Sequence, residues 1–332
     1  MNNKIIDVLS ELSSIRASQN EKFSKAALDK VIGIISSLDF EITDKSQVSN
    51  IPGIGKKSLT YIDEILRNSD PTKTGIPELD QLDPNTKLKN EAIKDMQKIS
   101  GIGPKKAEKY YSEYKIRNAE QLATYLGNTP QTNAITIGSK YHSDFDKKIP
   151  RSTSQTIIDY VDWIIKEINK QHGSHLKIEP GGSFRRGLEL SGDLDLILYD
   201  TNGDDVSKYQ NLLVTTLQNY GILKETIALG KDKYEGVATL PGIDETARRL
   251  DIEFVNSLQE LPFKISYFIG SKNYNIFVRK RARELGYSLT HNGLYKLNPD
   301  GSQGERIEGI IEERQIYDLL GLPYLTPEQR NM

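Results

Sequence analysis

The segment GGSFRRGLELSGDLDLILYD, residues 181–200, ends in a run that alternates acidic and apolar residues and then becomes continuously apolar. On a strand, successive side chains point to opposite faces. Leu194, Leu196 and Leu198 therefore share one face, and Asp193 and Asp195 the other. RRLDIEF, residues 248–254, repeats the pattern, with Leu250, Ile252 and Phe254 on one side and Arg249, Asp251 and Glu253 on the other. If the two strands are neighbours, Asp193, Asp195 and Asp251 converge on one sheet face. Clustered carboxylates repel one another and call for cations. Hard oxygen ligands in that number suit Mg2+, which keeps water and substrate phosphate as its remaining ligands. Two such ions about 3.5–4 Å apart clamp the entering and leaving oxygens of a phosphoryl transfer. Taken alone, D-x-D is more often a solvated strand edge or turn than a metal site. The residues in front of it change that balance. Gly181 and Gly182 permit close backbone approach, Ser183 and the amides after it suit phosphate oxygens, and Arg186 can fork onto the same anion. A phosphate cradle followed by a metal-binding pair on a strand is a nucleotidyltransferase arrangement.

The front of the chain has a different texture. KAALDKVIGIISSL (25–38) and KSLTYIDEILRNS (57–69) carry apolar residues at helical spacing, as does the stretch 87–127. SDPTKTGIPELDQLDP (69–84) breaks the pattern with Pro and Gly and reads as a linker. NIPGIGKK (50–57) and ISGIGPKK (99–106) form an internal repeat, each followed by a helix. Gly53 and Gly55, and Gly101 and Gly103, allow a tight turn to approach a partner closely. The helix that follows offers unpaired amides and the positive end of its dipole to a phosphate. Lys56 and Lys57, or Lys105 and Lys106, add charge that reads no base sequence. This is the pattern of a helix-hairpin-helix, a binder of the DNA backbone. From about residue 151 an amphipathic helix, STSQTIIDYVDWIIKEINKQ, leads into short apolar runs separated by turns, read as strands of one sheet with a helix at 209–221.

Composition adds limits. The 332 residues contain no cysteine, which excludes a disulfide framework, a thiol nucleophile and a zinc–thiolate site. No apolar run approaches the roughly 18 residues that span a bilayer, and the N-terminus lacks a signal-like apolar segment. An intracellular protein without a membrane partner is expected, with nuclear, viral and cytoplasmic settings all open. The net charge of −2 does not by itself suggest nucleic acid. Locally, residues 87–117 hold nine Lys/Arg against four Asp/Glu. An ordinary solvated helix face explains such a run equally well.

GGSFRRG…SGDLD resembles the active-site motif of the family X DNA polymerases. The likeness extends over nearly the whole chain. YHSDFDKKIPRS (141–152) is similar to the entry to the palm, and RRLDIEF to the strand with the third metal carboxylate. SYFIGSKNYNIFVRKRARELGYSLTHNGLY (266–295) is similar to the nucleotide-selecting segment. IYDLLGLPYLTPEQR (316–330) resembles the C-terminal end in its lambda form rather than its beta form. The implied fold is a multi-domain α+β chain. A helical domain at 1–76 binds gaps and 5′-phosphates, and a helical DNA-binding subdomain spans 77–148, each with one helix-hairpin-helix. A catalytic nucleotidyltransferase palm with a mixed or antiparallel sheet spans 149–258, and a small α+β nucleotide-selection subdomain spans 259–332.

The resemblance also implies roles. Asp193 and Asp195 would ligate two Mg2+ ions, with Mn2+ as an alternative, and Asp251 would ligate the catalytic one. The primer 3′-hydroxyl, its pKa lowered, would attack the α-phosphate of a dNTP and release pyrophosphate, with Arg249 orienting Asp251. Ser183, Arg186, Ser191 and Gly192 match triphosphate contacts. Tyr267, Phe268 and Gly270 match the segment that lies against the sugar, although core packing is the plain reading of the two aromatics. Asn275 matches a contact to the incoming base and Arg279 one to the template strand. Lys272 departs from the beta pattern, which has an acidic residue there. Gly53, Gly55, Gly101, Gly103, Lys105 and Lys106 match backbone-binding hairpins, where a monovalent cation also binds, and Lys57 matches a 5′-phosphate contact. Phe23 lies where a tyrosine often assists. Tyr61 stands where beta and lambda enzymes carry the lysine that forms a Schiff base with a 5′-deoxyribose phosphate, and a phenol cannot form that imine.

The expected substrate is gapped or nicked DNA with a 5′-phosphate, acted on by a monomer with weak or absent lyase activity. With the first hairpin near residue 50, no BRCT-like domain is expected in front of it. The short stretch ETIALGKDKYEGVATLPG argues against the long insertion of template-independent enzymes. The alternatives are a terminal-transferase-like or mutagenic end-processing polymerase and a non-catalytic DNA-end-binding scaffold.

Overall fold

The computed structural model describes residues 2–331 except 20, 37 and 39. The chain divides into two compact units, one reaching to residue 142 and one spanning 143–331.

The first unit is helical and has two cores. Helices α1 (Asn3–Ser18), α2 (Lys22–Ser36) and α3 (Lys56–Arg67) bury Ile5, Leu9, Leu12, Leu28, Val31, Ile35, Ile62 and Ile65 against one another. The Pro/Gly-rich stretch read as a linker belongs to this core. It forms a short helix, α4 (Pro77–Asp80), and buries Ile76 and Leu79. The Asp80 carboxylate accepts from the amides of Thr74 at 2.7 Å and Gly75 at 3.2 Å, so loop polar groups are satisfied internally. The second core joins α5 (Pro84–Met96), α6 (Pro104–Glu113), α7 (Ala119–Gly127) and α8 (Asn133–Lys140) around Ile93, Met96, Ile102, Ala107, Leu122 and Ile135. Local signals start these helices. Asp83 accepts from the amides of Asn85 and Thr86 with Pro84 in the first turn, and Asn118 accepts from the Gln121 amide.

The sequence repeat is also a backbone repeat. Gly53 and Gly101 take φ of +107° and +82°. The Ile54 amide donates to the Ile51 carbonyl at 3.1 Å, and the Ile102 amide to the Ile99 carbonyl at 3.0 Å. Gly55 and Gly103 then open α3 and α6 without a side-chain cap, which leaves first-turn amides for a ligand.

The second unit is built on a five-stranded sheet: β1 (Leu176–Pro180), β2 (Leu194–Asp200), β3 (Leu223–Leu229), β4 (Lys233–Leu240) and β5 (Asp244–Val255), in the order β1-β2-β5-β4-β3. Only β2 and β5 pair in parallel, so the sheet is mixed. Helices α9 (Arg151–His172) and α11 (Ser207–Asn219) cover one face, with the short helix α10 (Gly182–Arg185) between them in sequence. Under them lie Leu194, Leu196, Leu198, Leu250, Ile252 and Phe254, the apolar set read from the alternation. The hairpin between β3 and β4 turns tightly, with the Gly230 amide donating to the Lys233 carbonyl at 2.8 Å.

The remaining residues form α12 (Leu261–Ile269), α13 (Lys272–Glu284), a three-stranded sheet of β6 (Tyr287–Leu289), β7 (Leu294–Leu297) and β8 (Gln303–Arg306), and α14 (Glu313–Leu319). Phe263, Tyr274, Val278, Leu294, Ile316 and Tyr317 are its core. Phe268 and Ile265 of α12 pack on Ile197, Tyr199 and Val255, on the sheet face opposite α9 and α11. That face is therefore covered at one end and carries the carboxylates at the other. Among the described residues no helix is long and apolar enough to cross a membrane.

Candidate active site

The parallel pairing of β2 with β5 sets Leu194 opposite Leu250 and Asp195 opposite Asp251. On the other side of β5, β4 sets Glu235 opposite Asp251. Glu235, Asp251 and Asp195 thus stand in a row across three strands, and Asp193 sits on the bend just before β2. No donor among the described residues bonds the Asp195 carboxylate. Burial first, and then the charges of Asp193 and Asp251, push its pKa up to about 7. Burial also raises Asp251, against the pull of Lys233. The Lys233 ammonium lies 2.8 Å from Asp251 Oδ2 and 2.6 Å from Glu235 Oε1. Burial opposes its charge, but those two bonds hold its pKa above the ordinary lysine value.

Arg249 departs from its expected task. Its Nη2 reaches Asp193 Oδ2 at 3.6 Å rather than Asp251, and its Nε is buried without a partner. Lys233 holds Asp251 instead. Glu253, which shares this face of β5 with Asp251, is buried in a 2.5 Å ion pair with Lys264 of α12. It anchors that helix and is remote in role from the row.

Gly182 has a specific reason to be glycine. It takes φ +54°, and a Cβ there would stand 2.0 Å from Asp195 Oδ2. The Gly181 amide donates to the Asp195 carbonyl at 2.8 Å. The glycine pair therefore seats the carboxylate as well as offering room to an anion. Gly182→Ala should cut activity and cost at least about 1 kcal/mol of stability, because an L side chain is strained at this φ and the carboxylate must move. Extension assays and thermal melts on the same preparation check this. Ser183 Oγ bonds the Oγ of buried Ser191 at 2.9 Å, and Ser191 pairs with Ile149. At Gly192 a Cβ would meet only Lys148 Nζ, at 3.6 Å, so sterics do not demand glycine there. Arg186 is engaged: Nη1 donates to the Ile269 carbonyl at 2.8 Å and Nε to Asn331 Oδ1 at 2.8 Å.

The residues expected to lie against the sugar are gathered at the end of α12. The Asn275 amide donates to the Tyr267 carbonyl at 2.8 Å, and a Cβ on Gly270 would come within 2.8 Å of Asn275 Oδ1. The Arg279 guanidinium lies 4.9 Å from the centre of the Tyr267 ring, which stands edge-on to Phe268. Lys272 is exposed at the first turn of α13. In the first unit, Lys56, Lys57, Lys105 and Lys106 are exposed around the hairpins, and Lys106 Nζ donates to the Gly101 carbonyl at 3.2 Å. Tyr61 packs against the first core with the Lys57 ammonium 5.7 Å from its ring centre. Phe23 is 94% exposed.

Residues 148–257 match the DNA polymerase beta palm and residues 264–331 the DNA polymerase beta thumb. Residues 1–70 match a helix-hairpin-helix domain, and 93–128 a SAM-like helix-hairpin-helix tandem. The chain belongs to the family X DNA polymerases. It is similar to DNA polymerase lambda of Arabidopsis thaliana, at 26% identity over all of this chain and 62% of the relative. It is also similar to DNA polymerase lambda of Rattus norvegicus, at 26% over 98% of this chain and 56% of the relative. A third relative is the DNA polymerase/3′-5′ exonuclease PolX of Bacillus subtilis (strain 168), at 26% over 93% and 51%. The chain thus spans between half and two thirds of the length of these relatives.

For a family X palm, the donor set suits a divalent cation. The Asp195 carboxylate lacks donors, faces Asp251 in register and carries like charges as neighbours, which is a site short of positive charge. No group of three or more acidic or histidine side chains among the described residues is gathered tightly enough to chelate one ion by itself. Oxygens from substrate would complete such a shell. Lys233 and Glu235 are not marked by the motifs. The alternation K-x-E in KYEG puts both on one face, but which strand lies beside them is a long-range fact.

Proposed function

We propose that the chain is a template-directed DNA polymerase that fills short gaps during DNA repair, transferring dNMP to a primer 3′-hydroxyl. The observation that carries this reading is the register of Asp195 against Asp251 beneath the glycine pair of the cradle. Asp193, Asp195 and Asp251 would hold two Mg2+ ions. Bound there, the ions would lower the pKa of the 3′-hydroxyl and screen the triphosphate. The protein's own part is positioning and charge. Asp251 is the carboxylate placed to take the hydroxyl proton, and Lys233 keeps it oriented. Arg249 steadies Asp193. Ser183, Ser191, Gly192 and Arg186 would meet the triphosphate, the last after leaving the Ile269 carbonyl. Tyr267, Phe268 and Gly270 would exclude a 2′-hydroxyl, with Asn275 and Arg279 on base and template. The two hairpins would grip the DNA backbone, with Lys57 on the 5′-phosphate of the gap. The division of labour follows segments 1–76, 77–148, 149–258 and 259–332.

One assay tests both halves. On a one-nucleotide gap, with the template base varied, the chain should add the complementary nucleotide and do so faster when the 5′-phosphate is present. Additions indifferent to template would mean an end-processing enzyme, and no extension with Mg2+ and dNTPs would mean a scaffold. Borohydride trapping on an incised abasic site should yield little crosslink, because a phenol occupies the lysine position. Efficient trapping would overturn the predicted loss of lyase activity and point to Lys56 or Lys57.

A further inference from the structure

Beside the second hairpin, Tyr110, Tyr114 and Tyr125 form a triangle with ring centres 5.6, 5.8 and 5.1 Å apart. They line a cleft of about 310 Å3 together with Lys106, Lys109 and Ile135. That volume lies at the lower end of the range for small-ligand sites, on the order of 300–1,000 Å3. The three rings are not equivalent. Tyr110 and Tyr125 pack against the second core, whereas Tyr114 lies outside that core and is 44% exposed. Core packing therefore accounts for two of them, while Tyr114 is held at the cleft's edge by its ring contacts with Tyr110 and Tyr125 and keeps much of its own ring open to solvent.

The cleft adjoins the hairpin directly. Lys106, which lines it, donates to the Gly101 carbonyl, and Ile135 lies under Gly101, where a Cβ would come 2.9 Å from its Cγ1. Lys109 is shared with Glu113 at 3.8 Å, so it keeps an exposed, weakly held charge. The residue after Tyr114 is Lys115 at φ +58°, a left-handed conformation that glycine would adopt without strain. There the Ile116 amide closes the helix end onto the Tyr110 carbonyl at 3.2 Å, and Lys115 Nζ donates to the Ser112 carbonyl at 2.8 Å.

We propose that this cleft binds an unpaired nucleobase of single-stranded DNA, the base stacking on Tyr114 and Tyr125 while its flanking phosphates meet Lys106 and Lys109. Every base offers a π-face, so aromatic rings with a basic rim hold single strands without reading sequence. A strand gripped by its phosphates at the hairpin would reach the cleft without leaving this unit. The inference rests on the DNA-binding reading of the second hairpin and goes beyond gap filling: it gives the enzyme a hold on tails, flaps or overhangs.

The test compares binding of the full chain to oligothymidine, to an abasic oligomer of equal length and charge, to a nicked duplex in which every base is paired, and to a one-nucleotide gapped duplex, by fluorescence anisotropy. Oligothymidine should bind about tenfold more tightly than the abasic oligomer, the scale expected for one stacked base. Tyr114→Ala should erase that difference, Tyr114→Phe should preserve it, and neither should alter affinity for the paired duplex. Equal binding of the two oligomers by the wild-type chain, or a Tyr114→Ala loss that falls equally on paired duplex, would overturn the proposal. If base-dependent binding persists while the gapped duplex is not bound, the gap-filling reading fails and the cleft stands.

Discussion

Asp251→Ala should reduce primer extension on a one-nucleotide gap by at least about a thousandfold, with affinity for the gapped DNA little changed. The reason is local. Asp251 sits opposite Asp195 in register, and in the role proposed for it at the 3′-hydroxyl its loss would remove both a cation ligand and a proton acceptor. A thousandfold is about 4 kcal/mol of barrier, within what such charge stabilisation supplies. On the proposed reading DNA affinity would come from backbone contacts, which this substitution leaves alone. Asp195→Asn should be equally inactive but should raise stability in the absence of metal. In the wild-type chain without metal, burial and like charges disfavour the Asp195 carboxylate. A neutral amide of the same shape relieves that repulsion, so in chelator the variant should melt a few degrees higher, roughly 2–4 °C for each kcal/mol gained. Mg2+ should raise the melting temperature of wild type more than that of the variant. An active Asp251→Ala enzyme, or an Asp195→Asn variant less stable than wild type in chelator, would contradict these roles.

The second large effect is expected far from the chemistry. Arg330 is fully buried near the C-terminal end. Its Nη1 pairs with Glu313 at 2.5 Å, its Nε and Nη2 donate to the Leu325 carbonyl at 3.0 and 2.8 Å, and its guanidinium lies 5.2–5.4 Å from the ring centres of Tyr274, Tyr317 and Tyr324. Arg330→Met leaves the Glu313 carboxylate in a low-dielectric site with only tyrosine hydroxyls as donors. Breaking one side of a buried pair costs about 3–5 kcal/mol. In a unit of this size that lowers the melting temperature by on the order of 10 °C. Adding Glu313→Gln should recover a good part of the loss, because the uncompensated charge is then gone. A fall in activity should accompany the single change, since the neighbouring Asn331 bonds Arg186, which is proposed to meet the triphosphate. Denaturant unfolding of the wild type, the two single variants and the double variant measures the coupling directly.

Much of this site is legible in the amino-acid sequence. Alternation along GDLDLIL and RRLDIEF sorts apolar from acidic residues correctly, because a strand's side-chain period is a local property. The paired I-x-G-I-G turns are equally legible, since a glycine with positive φ before an uncapped helix is encoded within a few residues. Other features are not legible in the same way. The Pro/Gly stretch at 69–84 reads as a linker, yet Ile76 and Leu79 complete a core that also holds Ile5, Leu9 and Leu12 from the first helix of the chain. Arg249 shares a face with Asp251, but a shared face does not settle which acid a long side chain reaches, and it reaches Asp193.

By itself the sequence determined the faces that the acidic and apolar residues occupy and the family to which the chain belongs, because motif spacing and side-chain periodicity are written in consecutive residues. Only the tertiary structure decided that β2 and β5 lie parallel with Asp195 against Asp251, that Lys233 and Glu235 join them from β4, and that Gly182 must lack a Cβ to seat the carboxylate. Strand order, register and cross-strand charge depend on contacts between segments distant in the chain, and no local pattern specifies them.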